Sequence, residues 1–153
     1  MLRPSKKLAL ALEAIIDIAV HGAAEPVQSQ AIGERLNLPR RYLEQVMQQL
    51  VRAGILKGIR GPRGGYRLAR ERRRISVADI VRVVDEPVDG DASALTSSSA
   101  LGRDVMDPFW TGLEKDFLAQ LEEVTVDDLC AHVLPLKDTR AKGEKGADLD
   151  FSI

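Results

Sequence analysis

The feature that most constrains the fold is a glycine-rich turn, Gly61-Pro-Arg-Gly-Gly65, that separates two short segments with strand character. Residues 55–60 precede the turn and residues 66–68 follow it, which is the pattern of a β-hairpin. Upstream, apolar residues recur at three- and four-residue intervals up to Gly54, with charged and amide residues between them, as in an amphipathic helix. A helix followed by a hairpin tipped with glycine and arginine is typical of a winged-helix domain.

Two short helices with a tight turn between them are predicted before the hairpin. Residues 29–36 form the first, and Asn37 can end it because asparagine tolerates the left-handed conformation. Pro39 then stands at the first position of the second helix, which runs to about residue 53. Its inner stripe includes Leu43 and Leu50. This arrangement predicts a helix-turn-helix.

The first helix of the chain is predicted over residues 5–23, with Ser5 as its N-cap. Only a narrow polar stripe through Lys6, Glu13 and Asp17 interrupts its apolar surface, so it should be buried on more than one side. The stretch is too short and too charged to cross a bilayer. Because a single cysteine also fits a reducing compartment, we expect a cytoplasmic protein with no membrane contact.

Charge is distributed very unevenly along the chain. Residues 35–74 contain twelve Lys and Arg residues and two Glu residues, a formal net charge of +10. Residues 1–34 have a net charge of −1 and residues 75–153 of −10, so the formal total of −1 hides a strongly cationic block. Such a block is expected of a surface that binds phosphates.

The second half of the chain is predicted to be mainly helical. Ser76-Val-Ala-Asp79 and Thr125-Val-Asp-Asp128 are capping boxes that open two helices, and Asp107-Pro108 predicts the start of a long helix. A stripe of large apolar residues on that helix favours a seam between two subunits over a ligand pocket. The stripe consists of Met106, Trp110, Leu113, Phe117 and Leu121.

The predicted fold class is mainly α with a small β-hairpin wing: a winged helix-turn-helix domain plus a long dimerisation helix. The domain spans residues 1–86, and residues 87–104 form a flexible loop rich in Ser, Ala, Gly and Asp. Residues 105–136 hold the dimerisation helix and a short C-terminal helix, and residues 137–153 form a disordered tail.

Motifs in both halves resemble those of the Rrf-type winged-helix transcription regulators. That family includes the iron–sulfur cluster regulator, the nitric-oxide-sensing repressor and the cysteine-metabolism repressor. The resemblance covers roughly residues 3–134, and it implies a homodimer whose long second-half helix crosses that of its partner, with two winged domains on a palindromic operator. The matching motifs are Tyr42-Leu-Glu-Gln45, Arg60-Gly-Pro62, Gly64-Gly-Tyr-Arg-Leu68, Val83-Val-Asp-Glu86, Phe109-Trp110 and Val124-Thr-Val-Asp-Asp-Leu129.

The residues expected to contact DNA lie on the second helix of the helix-turn-helix and on the wing. Glu44 and Gln45 are of the types that read cytosine and adenine, although on an arbitrary helix both would be ordinary solvated residues. Arg40 and Arg41 are expected to clamp phosphates. Arg60 matches the wing arginine of the family, and the glycines beside it allow a close backbone approach. The full set is Arg40, Arg41, Tyr42, Glu44, Gln45, Arg60, Gly61, Arg63 and Gly64.

The chain departs from the cluster-binding members of the family in the loop between its halves. Those members carry three cysteines there, whereas residues 88–107 contain neither cysteine nor histidine. Because an iron–sulfur cluster needs thiolates or imidazoles on iron, we expect no cluster, no other cofactor and no metal site. Cys130, the only thiol, stands among apolar residues and is expected to be buried and unreactive. A redox switch at Cys130, or a metal site shared with His132, is the alternative.

These patterns predict a bacterial-type transcription regulator, acting as a repressor, that binds double-stranded DNA as a homodimer. Its signal would come from a small molecule at the dimer interface, a partner protein or oxidation of Cys130, and the sequence does not choose among these. A winged-helix module that binds protein and not DNA would lack the cationic block. An enzyme is not expected, because no nucleophile–base pair is apparent and the glycine-rich turn is not a phosphate-binding loop.

Overall fold

The computed structural model describes residues 4–85 and 98–133. Much of the predicted loop (87–97) and the whole predicted tail (137–153) therefore lie outside the described residues. The elements, in chain order, are α1 (Lys6–His21), α2 (Ser29–Leu36), α3 (Arg40–Arg52), β1 (Leu56–Ile59), β2 (Gly65–Leu68), a 3-10 turn (Arg72–Arg74), α4 (Val77–Val84), α5 (Asp107–Glu122) and α6 (residues 126–133). The mainly helical fold with one hairpin agrees with the predicted fold class.

The helix-turn-helix of α2 and α3 forms as predicted. Asn37 ends α2 in the left-handed conformation, with φ of 53° and ψ of 50°. Pro39 is the N-cap of α3 and not its first helical residue, so the predicted position was wrong by one. Leu43, Val46 and Leu50 are fully buried, and they leave the polar face of α3 on the outside.

The wing is an antiparallel hairpin of β1 and β2, extended by one residue from another part of the chain. Val27 and Tyr66 exchange backbone hydrogen bonds of 2.9 and 2.8 Å, so the segment before α2 lies against β2. Gly65 permits this approach, because a Cβ there would lie 2.5 Å from the Val27 carbonyl oxygen. At the tip, Gly61 adopts a φ of +116°, which L side chains rarely adopt.

The core is aliphatic, and α1 lies at its centre. Fully buried Ile15 and Ile18 of α1 belong to the same cluster as Leu43 of α3, Ile55 before β1 and Ile80 of α4. Burying a side chain of this size stabilises the fold by roughly 1.5–3 kcal/mol. The prediction that α1 is buried on more than one side is confirmed.

Asp17 of α1 does not lie on a solvated stripe, as its position in the sequence suggested. It is 8% exposed, and its two carboxylate oxygens accept hydrogen bonds from Nε and Nη2 of Arg35, at 2.8 and 2.7 Å. His21 Nδ1 lies 3.2 Å from the same carboxylate. The Asp17–Arg35 pair joins α1 to α2 and so fixes the first helix of the helix-turn-helix.

The second half of the chain is attached to the winged domain by backbone hydrogen bonds. Val77 donates to the Val124 carbonyl at 2.8 Å, and Val126 donates to the Ile75 carbonyl at 2.9 Å. Both predicted capping boxes are present at this junction: Ser76 with Asp79, and Thr125 with Asp128. Val126 and Cys130 of α6 are buried in the same core as α1.

The long helix of the second half begins earlier than predicted. Residues 100–101 are already helical, and a π-helical segment at Gly102–Met106 leads directly into α5. Pro108 is therefore inside a continuous helix, and Asp107 is not its N-cap. Proline cannot donate to the carbonyl four residues before it and its ring crowds that carbonyl, so a widened turn just upstream is a common accommodation. Within residues 4–85 and 98–133, no helix is both long and apolar enough to span a membrane.

Candidate nucleic-acid interface

The outward face of α3 presents most of the side chains that the sequence assigned to DNA. Arg41 and Gln45 are exposed, and Tyr42 is 37% exposed although it is a large aromatic residue. No ion pair engages Arg41 in the part of the chain that the structure describes. A helix of this kind presents hydrogen-bonding groups and a free cation to any surface that it meets.

An open cleft separates the start of α3 from the wing. It has a volume of about 410 Å³, and four predicted site residues line it: Arg40 from α3, and Arg60, Gly61 and Gly64 from the wing. The hairpin brings Arg60 beside the helix because β2 is fixed to the chain before α2 through the Val27–Tyr66 bridge. The cleft therefore has a cation from each of its two walls.

Glu44 does not line the cleft, but it is paired with a residue that does. Its Oε1 accepts a hydrogen bond of 3.0 Å from Nε of Arg40, one helical turn earlier. Burial, together with the negative charge of Glu44, raises the pKa of the Tyr66 phenol, so Tyr66 remains a neutral hydrogen-bond donor. In the free protein, Glu44 thus partly neutralises Arg40, and a base or phosphate that engages one of them must compete with the other.

Arg63 does not share the cleft with the other wing residues. It lines a second, shallow surface of the wing with Pro26 and Pro62, and Arg60 and Gly61 line both this surface and the cleft. Its Nη1 is 3.8 Å from Oε1 of Glu25, and both side chains are largely exposed, so this contact is weak. The nine predicted DNA-contacting residues therefore lie on the outward face of α3, in the cleft and on this second surface of the wing.

Part of the cationic block faces inward or is neutralised within the protein. Arg35 is bound to Asp17, and this hydrogen bond raises the pKa of the guanidinium further. Arg72 and Arg73 of the 3-10 turn both contact Asp127 of α6, so neither is simply solvated. Arg67 donates a hydrogen bond to the Ala24 carbonyl and has no acidic partner among the described residues. The cations without an ion-pair partner in the described part of the block are Arg41, Arg52, Lys57, Arg60, Arg67, Arg70 and Arg74.

Sequence reasoning missed the residues at the start of α2. Gln28, Ser29 and Gln30 line the same cleft as Arg40 and Arg60. Gln28 is the N-cap of α2 but makes no side-chain capping bond, which leaves N–H groups of the first turn directed outward. Three consecutive polar residues at the N-cap and first turn of a short helix were the only available signal, and it does not distinguish a binding site from an ordinary helix start.

Comparison with known proteins places this geometry in a family. The family model described as "Iron-dependent Transcriptional regulator", named Rrf2, matches residues 4–132. The chain belongs to the Rrf2 family. The resemblance seen in the sequence motifs is thereby confirmed, and the described wing, helix-turn-helix and long helix all fall within the matched range.

The curated relatives and the solved structures that are similar to this chain agree with this assignment. The HTH-type transcriptional regulator IscR of Vibrio atlanticus is 32% identical over 146 residues, which is 94% of this chain and 80% of that protein. The structure of T. potens IscR is 32% identical with a TM-score of 0.67, and covers 99% of this chain and 94% of its own. CymR, the global cysteine regulator of B. subtilis, is 28% identical with a TM-score of 0.67, over 86% and 98% of the two chains. The relatives are transcription regulators and not enzymes.

The residues of this Rrf2 protein do not fit an iron–sulfur cluster. The sequence has one cysteine, and Cys130 is only 2% exposed within the aliphatic core. Among residues 4–85 and 98–133, no group of three or more His, Cys, Asp or Glu side chains is arranged to hold a metal ion. The sequence from residue 86 to 97 adds carboxylates and hydroxyls but no thiol or imidazole. Soft ligands are what such a cluster requires.

Proposed function

We propose that this protein is a sequence-specific DNA-binding transcription regulator, acting as a homodimer on a palindromic operator, in the cytoplasm and as a repressor. The observation that carries the proposal is the cleft between α3 and the wing, where Arg40 and Arg60 stand on opposite walls. Membership of the Rrf2 family supports the regulatory role. The exposed polar face of α3 supports direct reading of bases.

In the proposed complex, α3 enters the major groove and the wing lies over the adjacent minor groove. Gln45 is exposed at the start of α3 and can bind adenine with two hydrogen bonds. Arg41 is a free cation beside it and suits a phosphate. Arg60 follows β1 at the wing tip, next to Gly61, where arginine favours a narrow minor groove. When the Glu44 carboxylate accepts a hydrogen bond from cytosine, its hydrogen bond with Arg40 would break, and Arg40 could then bind a phosphate.

The proposed homodimer is supported by the large apolar side chains that α5 exposes. No residue of α5 is buried in the single chain, and Trp110, Leu113 and Phe117 are 52%, 43% and 57% exposed. Soluble proteins rarely leave a continuous apolar stripe in water. The same face extends upstream to Leu101 and Val105, which are 67% and 54% exposed. A second copy of α5 would cover this surface.

A redox regulator that uses Cys130 is a weaker candidate. Burial raises the pKa of the Cys130 thiol, and Arg72 only partly offsets this effect. Because the thiolate is the reactive form, a buried thiol with a raised pKa reacts slowly with oxidants. A protein-binding winged-helix module is disfavoured by the free cations on α3 and the wing.

Selection of duplexes from a random-sequence pool, followed by gel shifts at several salt concentrations, tests the proposal. We expect one palindromic sequence to be enriched. Replacing Gln45 with Ala should reduce sequence discrimination by about 1–3 kcal/mol per lost base contact. Replacing Arg41 with Ala should instead weaken binding to all sequences and flatten the salt dependence.

The matched control is Glu13→Ala, which removes an exposed side chain of α1 far from the cleft. It should bind as the unmodified protein does. Enrichment of no sequence, together with salt-independent binding, would rule out a DNA-binding function.

A further inference from the structure

One small joint connects the segment that follows the wing to the C-terminal half of the chain. We define the joint as Arg72, Arg73, Ile75, Val126 and Asp127. Asp127 Oδ1 lies 2.6 Å from Nε of Arg72, and its Oδ2 lies 3.4 Å from Nε of Arg73. The backbone N–H of Val126 donates to the Ile75 carbonyl at 2.9 Å. Two successive residues of α6 therefore hold both the side chains and the backbone of the 3-10 segment.

The joint brings together the segment that follows the wing and the segment that follows α5. β2 ends at Leu68, just before the 3-10 turn, and α5 ends at Glu122, just before α6. Arg82 of α4 also binds Glu122, so the end of α5 is fixed to the winged domain at a second point. A change in the direction of α5 is therefore transmitted to the base of the wing through few intervening residues.

The buried apolar contacts of the joint and its exposed ion pairs have different effects on the structure. Ile75 and Val126 are fully buried, so the apolar and backbone contacts hold the two segments together. The side chain of Asp127 is 27% exposed, and those of Arg72 and Arg73 are 47% and 80% exposed. Ion pairs this exposed add little to folding stability. Hydrogen bonds between charged groups are directional, however, so these pairs can fix the orientation of α6 relative to the 3-10 turn, which apolar contacts alone do not define.

We propose that Asp127 is a positioning residue that sets the angle between the winged domain and α5. In a dimer formed through α5, that angle determines the separation of the two DNA-binding surfaces and so the operator spacing that the protein accepts. The inference rests on the proposed function, because the separation matters only if two copies bind one duplex. Asp127 also neutralises cations of the 3-10 turn that would otherwise add to non-specific attraction for DNA.

The test compares Asp127→Asn with the unmodified full-length protein on duplexes selected by the latter from a random pool. Each selected duplex is also made with one base pair inserted or removed at its centre, and as an isolated half-site. We expect Asp127→Asn to lose about three- to thirtyfold of the discrimination against altered spacing, the range typical of coupling between distant sites. Half-site affinity should not fall, and the dimer should persist in sedimentation.

Glu123→Gln is the matched control, because it removes one exposed acidic charge near the joint with no ion-pair partner among the described residues. It should retain full discrimination. Asp127→Glu, which keeps the charge, should recover most of it. Should Asp127→Asn fail to fold, Arg72→Gln removes the shorter of the two ion pairs of Asp127 and should give most of the same loss.

Unchanged spacing discrimination in a folded, dimeric Asp127→Asn or Arg72→Gln variant would overturn the inference and leave the proposed function intact. Failure of the unmodified protein to select any sequence would instead overturn both. Equal losses for Asp127→Asn and Glu123→Gln would also overturn it, because the effect would then come from charge alone and not from position.

Discussion

The ion pair between Arg35 and Asp17 fixes α2, the first helix of the helix-turn-helix, against α1. Neither residue lines the proposed DNA-binding cleft. The carboxylate is almost completely buried, whereas the side chain of Arg35 is 37% exposed. The pair is therefore unequal: removal of Asp17 leaves a cation that can turn towards water, but removal of Arg35 leaves a carboxylate without its main partner. Burying an uncompensated charge is the larger penalty.

We expect Arg35→Ala to lower the free energy of unfolding by roughly 3 kcal/mol or more, the range for breaking a buried pair. Asp17→Ala should lower it by a smaller amount, about 1–2 kcal/mol, through lost charged hydrogen bonds. Urea unfolding followed by circular dichroism measures both. Equal losses for the two variants would mean that His21, 3.2 Å from Asp17, compensates the carboxylate when Arg35 is absent.

At the scale of elements, the wing depends on one close backbone approach. The Val27–Tyr66 bridge anchors β2, and Gly65 is the residue that permits it. A Cβ at position 65 would lie 2.5 Å from one backbone atom and 2.6 Å from another of Val27. Backbone cannot yield as a flexible side chain does, so β2 would have to move away from the segment before α2.

Gly65→Ala should therefore lower the free energy of unfolding by about 1–3 kcal/mol, as overpacking usually does. It should also weaken DNA binding, because the wing loses its position beside α3. Gly58→Ala is the matched control for stability: it lies on β1 of the same hairpin, and an added Cβ there meets nothing within 4 Å. Because Gly58 lines the cleft, only its free energy of unfolding is compared. Similar losses in both variants would show that any alanine in the hairpin is harmful and that the bridge has no special role.

The elements that local sequence patterns could predict are those whose signals lie within a few residues. The bounds of α2 and both capping boxes follow from such signals. The prediction that a helix starts at Asp107-Pro108 was wrong. Proline is common at the first turn of a helix, but here the upstream π-helical segment accommodates Pro108 within a longer helix. The Asp17–Arg35 and Arg72–Asp127 pairs join residues far apart in sequence, so no periodicity or spacing indicates them.

The candidate site was predictable to a similar degree. The amphipathic pattern of α3 placed Arg41 and Gln45 outward, and the glycine-rich turn placed Arg60 at the wing tip. The ion pair between Arg40 and Glu44 could also have been predicted, because residues four apart on a helix lie on the same face. The contribution of Gln28 and Ser29 to the cleft depends on how the wing folds back towards α2, which only the three-dimensional structure provides.

At the scale of the whole molecule, the donor atoms predict how the protein behaves towards iron. Protein purified without oxygen should be colourless, should contain no stoichiometric iron or sulfide, and should bind its selected duplex equally with and without air. The single thiol is buried, and cluster retention needs several soft ligands. Absorption spectra and iron analysis measure this, with Cys130→Ser as the control. A visible-absorbing centre that disappears in Cys130→Ser would contradict the prediction.

Assembly provides the remaining test, because a stripe that is exposed in one chain should be buried between two. Replacing Leu113 and Phe117 together with Glu places two charges where the proposed seam is desolvated, and a charge buried without a partner is costly. The variant should sediment as a folded monomer. Its affinity for the palindromic duplex should fall by about a hundredfold or more, because the two half-sites no longer act together.

The matched control for the seam makes the same change of net charge on the other side of α5. Thr111→Glu with Lys115→Gln changes exposed residues about half a helical turn from Leu113 and Phe117, so the dimer should persist. Half-site affinity should be the same in both double variants, since α3 and the wing are untouched. A Leu113 and Phe117 variant that still sediments as a dimer would place the subunit interface elsewhere on the molecule.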